Sequence, residues 1–229
     1  MKKIIFLALT AIALALAQNA VPVDKMIDDG RFQAAYAEGI KQGGARALAL
    51  AAKAASFYAV YEAKDIEKSS WFDKAEDAAK KAIQADKDYA EGYFELARAH
   101  GRLAQYRGIL ESLSLATSVR ENLEKTLALN DKHAGAHVAL ALWNIELNSK
   151  GVGWLYGANN GRVVPLFEEA IKLEPQVIIH KVEYATALER LGKKDEARKQ
   201  LEAALAIAPK TAADRYDQER ARKQLAGLK

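Results

Sequence analysis

Four histidines are the side chains best able to carry metal or proton chemistry in this sequence: His100, His133, His137 and His180. His133 and His137 stand four residues apart, so one face of a helix presents both. Zinc would need further ligands, but the sequence contains no cysteine, and Glu or Asp support beside the pair is not evident. His133 falls at a turn and His137 at a helix packing position. Packing and hydrogen bonding at a helix start are therefore their expected roles. His100 and His180 fall on helix faces, and His180 is placed to hydrogen-bond between neighbouring helices. No Gly-x-Ser-x-Gly elbow, P-loop lysine motif or Gly-x-Gly-x-x-Gly fingerprint occurs. Carboxylates are plentiful, yet none forms an acid–base pair with a geometric argument behind it. The expectation is a protein that is not an enzyme, with no catalytic residue, metal or cofactor.

Binding chemistry is better represented. The stretch Gly151 to Gly161 is rich in Gly and Asn and carries Trp154 and Tyr156. Aromatic side chains on such a loop serve as anchors for a partner. They serve equally well as plugs that fold back over a gap in the core, and the sequence leaves both roles open. Trp71 and Trp143 fall on helix faces that read as core.

The elements that must position these residues are helices. Alanine and leucine dominate, four residues of 229 are proline, and β-branched residues seldom alternate. Four segments share an apolar run that ends in a polar or proline turn: 82–87, 126–131, 170–175 and 204–209. Their ends fall at Lys87, Asp131, Pro175 and Pro209, which are 44, 44 and 34 residues apart. The last spacing is the period of the tetratricopeptide repeat (TPR), a pair of antiparallel helices. Residues 178–211 fit it closely, with Tyr184, Ala185 and Leu188 packing from the first helix, Gly192 at the turn, and Ala197, Leu201 and Ala204 packing from the second.

The two longer units carry about ten extra residues between their helices. One insertion lies near Gln105 to Ala116 and the other at Asn148 to Arg162. The first unit reads as helices near 45–62 and 71–85, preceded by a helix within 24–42. Thr211 and Asp214 head a terminal helix that covers the last apolar face. The predicted fold is all-α, a TPR-type superhelix with two inter-helix insertions and a C-terminal capping helix at 211–228. The units are 45–87, 90–131, 134–175 and 178–211 within a single domain, 24–229.

Such superhelices line their concave face mainly with first helices. The repeat register puts Phe94, Arg98 and Arg102 of the second unit at exposed inner positions. Leu142 and Glu146 follow in the third unit, and Thr186, Glu189 and Arg190 in the fourth. Arginines there are suited to clamp a partner's carboxylate or chain terminus. The same positions are also ordinary surface.

Several stretches are more specific than a generic repeat: Ala99-His100-Gly101-Arg102-Leu103-Ala104, Asn122-Leu123-Glu124-Lys125-Thr126-Leu127-Ala128-Leu129, and His133-Ala134-Gly135-Ala136-His137. With them the sequence resembles a bacterial TPR family that includes the T-component of TRAP transporters. It is also similar to the regulator of microtubule dynamics proteins. The resemblance covers roughly residues 30–228. It implies a scaffold that serves a TRAP-type solute uptake system by contacting its solute-binding protein. A small-molecule or lipid carrier, with a pocket within the superhelix, is the alternative.

Residues 1–17 read as a signal peptide: Lys2 and Lys3, an apolar run from Ile4 to Leu16, and the small-x-small site Ala15-Leu16-Ala17. The run is short for a membrane span, and retention as an anchor is the other reading. Without a cysteine there is no lipobox, so the expected location is periplasmic or secreted, with no stable membrane span after cleavage. The formal net charge is +4. Basic and acidic residues interleave along the helices, which is a solvated surface and excludes a clustered nucleic-acid patch. The partner expected is another exported protein. A homo-oligomer is the further reading, because Ala45 to Ala55 is unusually apolar for a first repeat. Either a second copy or the helix within 24–42 covers it.

Overall fold

A computed structural model describes residues 21–107 and 109–228. The proposed signal peptide lies outside the described residues. All regular structure among the described residues is helical: α1 (Val23–Asp28), α2 (Phe32–Gln42), α3 (Gly44–Tyr61), α4 (Asp65–Ala85), α5 (Ala90–Leu103), α6 (Ile109–Leu129), α7 (Ala134–Ser149), α8 (Gly153–Tyr156), a 3-10 turn (Asn160–Arg162), α9 (Val163–Leu173), α10 (Ile178–Arg190), α11 (Lys194–Ala206) and α12 (Ala212–Gly227). The architecture is an all-α, TPR-type superhelix.

Small side chains set the packing of the first half. Ala51, Ala52, Ala54, Ala55 and Ala59 of α3 are fully buried, as are Ala75, Ala78, Ala79 and Ala82 of α4. Alanine against alanine lets the two backbones approach closely and costs no side-chain entropy. Larger residues fill the second half. Phe167 stacks on Tyr184 with ring centroids 4.8 Å apart, within one cluster that joins α7, α9, α10 and α11. The apolar face of α3 is covered from within the chain, by α2 and α4.

Helix ends follow local chemistry. Gly192 sits at φ 77° between α10 and α11, a conformation that a Cβ would disfavour. Thr211 and Asp214 form a reciprocal capping box: the Asp214 N–H donates to Thr211 Oγ1 at 3.1 Å, and the Thr211 N–H donates to Asp214 Oδ2 at 2.9 Å. Buried Gln218 caps the preceding helix by donating to the Ile207 carbonyl at 2.7 Å.

The extra residues in the two long units take different forms. In the second unit they lengthen α6, which begins at Ile109 and runs for 21 residues. In the third they form α8 and the 3-10 turn. Helix α4 likewise begins at Asp65, earlier than the expected Trp71, and the expected helix within 24–42 is split into α1 and α2. The split falls at Gly30, whose φ is 82°.

The last helix returns to the first. Ala212 of α12 packs among Val23, Ile27 and Phe32 of α1 and α2. A Cβ at Gly30 would stand 2.9 Å from the Ala212 methyl, so glycine is required there twice over. Tyr61 of α3 stacks on Tyr216 with ring centroids 4.9 Å apart and planes 10° from parallel. The Tyr61 hydroxyl donates to Asp217 Oδ1 at 3.1 Å, and the Tyr216 hydroxyl donates to Glu62 at 3.2 Å. The superhelix is thus closed on itself by α12, and residues from distant repeats face one another.

Candidate partner-binding face

The closed arrangement gathers charged and aromatic side chains from α3, α5, α7, α10 and α12. On α3, Lys53, Phe57 and Tyr61 recur every four residues and share one face. On α5, Glu91, Glu95 and Arg98 share one face at spacings of four and three. The Arg98 guanidinium lies 4.6 Å from the Phe94 ring centroid and 5.4 Å from that of Phe57. Lys53 Nζ lies 5.5 Å from the same Phe57 centroid. Glu183 of α10 pairs with Arg220 of α12 at 2.9 Å.

Each acidic group here has its own electrostatic setting. Burial raises the cost of ionising Glu91, but the hydrogen bond from His133 Nε2 at 3.0 Å and the nearby charges of Arg98 and Lys53 outweigh it. Its pKa is held down at about 2. Glu95 is fully buried. Burial pushes it up to about 8, against the pull of Arg98 and with the repulsion of Glu91 adding. Asp217 is pushed up to about 7, chiefly by burial, while the Tyr61 hydrogen bond and Arg220 oppose the shift and Glu183 and Asp214 add to it. His180 is held down at about 4 by burial, helped by Lys181, His133 and Arg98. At neutral pH His180 and Glu95 are therefore uncharged.

The histidines have structural partners. His133 is the N-cap of α7, its Nδ1 accepting from the Ala136 N–H at 3.1 Å. His137 Nε2 lies 2.9 Å from the Asp131 carbonyl oxygen. His100 Nδ1 lies 2.9 Å from Ser118 Oγ. No group of three or more His, Asp and Glu among the described residues is arranged to hold a metal.

The side chains expected in the groove divide into two groups, the first from the second unit. Arg98 joins the charged cluster. Arg102, one turn further along α5, is half-buried. Phe94 is a correction: it is 6% exposed and packs against His133 at a centroid distance of 4.4 Å. The ring is wedged against Gly135, where a Cβ would stand 2.7 Å from Phe94 Cζ. It therefore belongs to the α5–α7 interface, and its face supports Arg98. The third and fourth units form a second group. Glu146 pairs with Arg190 and, at 3.0 Å, with Lys150. Leu142 is half-buried against the core. Thr186 and Glu189 both receive hydrogen bonds from Gln224 of α12, the first at 3.2 Å, so the terminal helix engages them.

The loop after α7 separates its two aromatics. Tyr156 is the plug: it packs on the cluster of Val119, Leu123 and Trp143, donates to the Leu113 carbonyl at 3.4 Å, and its own carbonyl accepts from Arg120 at 2.9 Å. Trp154 is 78% exposed and Leu155 58%. Asn144 fixes the loop, its buried Oδ1 accepting from the Asn159 N–H at 2.7 Å.

Lys53, Phe57, Tyr61, Glu183, Asp217 and Arg220 are not singled out by sequence. A signal for the first three exists: Lys53 is the lone charged residue between Arg46 and Glu62, in a stretch that apart from Ser56 is built of alanine and larger apolar or aromatic residues. Asp217 and Arg220 depend on the return of α12 to α3, which no local pattern encodes.

Among the described residues no helix is long and apolar enough to cross a membrane. The crystal structure of TTC0263, a thermophilic TPR protein in Thermus thermophilus, superposes with a TM-score of 0.63 at 19% identity, covering 85% of this chain and 92% of that one. MamA matches with a TM-score of 0.47 at 21% identity over 90% of this chain and 98% of its own. YrrB, a TPR protein with an unusual peptide-binding site, matches with a TM-score of 0.41 at 17% identity over 93% and 98%. No curated protein sequence matches. The family model described as regulator of microtubule dynamics protein 1-3 matches residues 24–155. That span exceeds half of the sequence, and the chain belongs to this family.

Proposed function

We propose that the protein is an interaction scaffold that receives a segment of another exported protein on its inner face. The observation that carries this reading is the convergence of Lys53, Phe57 and Tyr61 with Arg98 and Arg220 from three helices far apart in sequence. Aromatic rings backed by guanidinium groups are the composition of binding hot spots. The depression between Ile171, Tyr184 and Leu188 lies elsewhere and is rimmed by Glu168, Lys172, Glu196 and Lys199. It lends no support to a lipid carrier.

The finer reading is that the chain is exported, processed after Ala17, and serves a TRAP-type uptake system by contacting its solute-binding protein. Its support is the resemblance carried by residues 99–104, 122–129 and 133–137, together with the signal-like composition of residues 1–17. The test is affinity capture from a periplasmic extract with the chain from Gln18 to Lys229, beside a Tyr61→Ala, Arg98→Ala double variant. The account expects a solute-binding protein with the wild type and its loss with the variant. Equal recovery by both would place the contact elsewhere and overturn the inner face as the docking surface.

A further inference from the structure

Trp154 and Leu155 are the one pair of adjacent large apolar side chains exposed among the described residues. Their loop holds them out firmly. Helix α8 ends at Gly157, whose φ is 67°, and the Ala158 N–H donates back to the Gly153 carbonyl at 2.9 Å. Gly153 is seated so closely that a Cβ there would stand 2.1 Å from Asn148 Oδ1. Asn148 Nδ2 donates to Asn160 Oδ1 at 3.0 Å and ties the two ends of the loop together. Tyr156 and Asn144 fix it from behind. Little ordering entropy is left to lose when Trp154 and Leu155 are covered.

The charge about this tip is of one sign. No acidic residue occurs from Asn148 to Phe167, whereas Lys150 and Arg162 do. Both are exposed, and each lies two residues beyond one of the tied asparagines. Two acids reach the base of the loop, and both are already paired: Glu124 with Arg120 at 2.8 Å, and Glu146 with Lys150 and Arg190. Four cations, Arg120, Lys150, Arg162 and Arg190, thus stand against two anions.

We propose that the α8 tip is a membrane-docking wedge: Trp154 and Leu155 enter the interfacial layer of a bilayer that carries anionic lipid, and Lys150 and Arg162 engage its headgroup phosphates. Tryptophan suits that layer, because its ring is apolar and its N–H finds a hydrogen bond at headgroup depth. The cations suit it because anionic lipid attracts basic side chains close to the surface. A stable protein interface buries about 800 Å² on each partner, more than one ring and one leucine among glycines and asparagines present. A bilayer moulds itself around such a wedge, and the resulting attachment is reversible. This surface is separate from the inner face, and neither requires the other.

The experiment uses the chain from Gln18 to Lys229, which keeps every described helix and omits the apolar run at 4–16, itself able to bind lipid. It is mixed with vesicles of phosphatidylcholine alone, or of phosphatidylcholine and phosphatidylglycerol in equal parts. Co-sedimentation measures binding and tryptophan emission reports the environment. Trp71 packs on Tyr36 and Tyr58 and Trp143 is buried, so a blue shift on binding reports Trp154. The expected result is saturable, salt-sensitive binding to the anionic vesicles with a blue shift, and much weaker binding to the neutral ones. Trp154→Ala and Arg162→Glu each weaken it by roughly tenfold. Trp154→Phe keeps most of the binding and abolishes the shift. Ile66→Ala, at an exposed apolar residue elsewhere, binds as the wild type does, and circular dichroism checks the fold of each variant. No binding by the wild type, equal binding to both vesicles, or Trp154→Ala binding as tightly as the wild type would overturn the proposal. An Ile66→Ala loss as large as that of Trp154→Ala would do the same. So would a wild type that ignores vesicles but loses a captured protein on Trp154→Ala, which makes the tip a protein contact.

Discussion

At the scale of single residues, the decisive feature of the inner face is a carboxyl group kept neutral. Glu95 has an ordinary pKa of 4.5 when free and about 8 in the folded chain. The folded state therefore holds a proton that the unfolded state releases. Its contribution to stability is complete below about pH 4.5 and is lost as the pH rises through about 8. Asp217, raised from 3.8 to about 7, acts in the same direction. Thermal unfolding of Glu95→Gln at a series of pH values checks this. The variant mimics the neutral acid, so its midpoint is expected to fall less than that of the wild type between pH 5 and pH 9. An unchanged pH profile would mean that Glu95 is ionised throughout. The two loop aromatics give a second contrast. Tyr156→Ala is expected to cost roughly 1–2 kcal/mol, less than a fully buried ring. Trp154→Ala stays within about 0.5 kcal/mol. Denaturant midpoints measure both, and the reverse order would mean that Trp154 is the plug.

At the scale of helices, the alanine seam between α3 and α4 is the least forgiving contact. Ala79 is fully buried against a helix whose facing residues are also alanine. Ala79→Leu is expected to destabilise by about 1–3 kcal/mol through overpacking, measured by urea unfolding. An unchanged midpoint would show a looser seam. This level of organisation is the most legible in the sequence. Alanines at 75, 79 and 82, the turn at Gly192 and the cap at Thr211 each follow from local rules, so spacing alone locates the repeat ends. Rotation about a helix axis is harder to read. The repeat register puts Phe94 beside Arg98 in the groove, but the small Gly135 on the next first helix draws the ring inward. Nor does the sequence distinguish Trp154 from Tyr156. That difference arises because Asn144 and Arg120 fix the loop from other elements.

At the scale of the whole molecule, the closure by α12 creates the inner face. Local signals predict a terminal helix, and its role as a cap for the last repeat is visible in Gln218 and Gln224. Its contacts with α1 and α3 are not legible in the sequence, because they join residues more than 150 positions apart. The paired Tyr61–Asp217 and Tyr216–Glu62 hydrogen bonds hold the two ends together. A Tyr61→Phe, Tyr216→Phe double variant keeps the ring stacking and removes both hydroxyls. Hydrogen exchange is expected to quicken in α1 and α12 while α9 and α10 stay protected. Uniform exchange across all helices would mean that the closure contributes no local stability.

The central claim is that a partner docks on the inner face. The most direct measurement places a photo-crosslinking amino acid at Arg102, one turn along α5 from Arg98, in one variant and at the exposed Lys199 of α11 in another. Both are irradiated in the same cellular extract. A crosslinked partner is expected from position 102 and none from position 199. Crosslinks from position 199 with none from position 102 would contradict docking on the inner face.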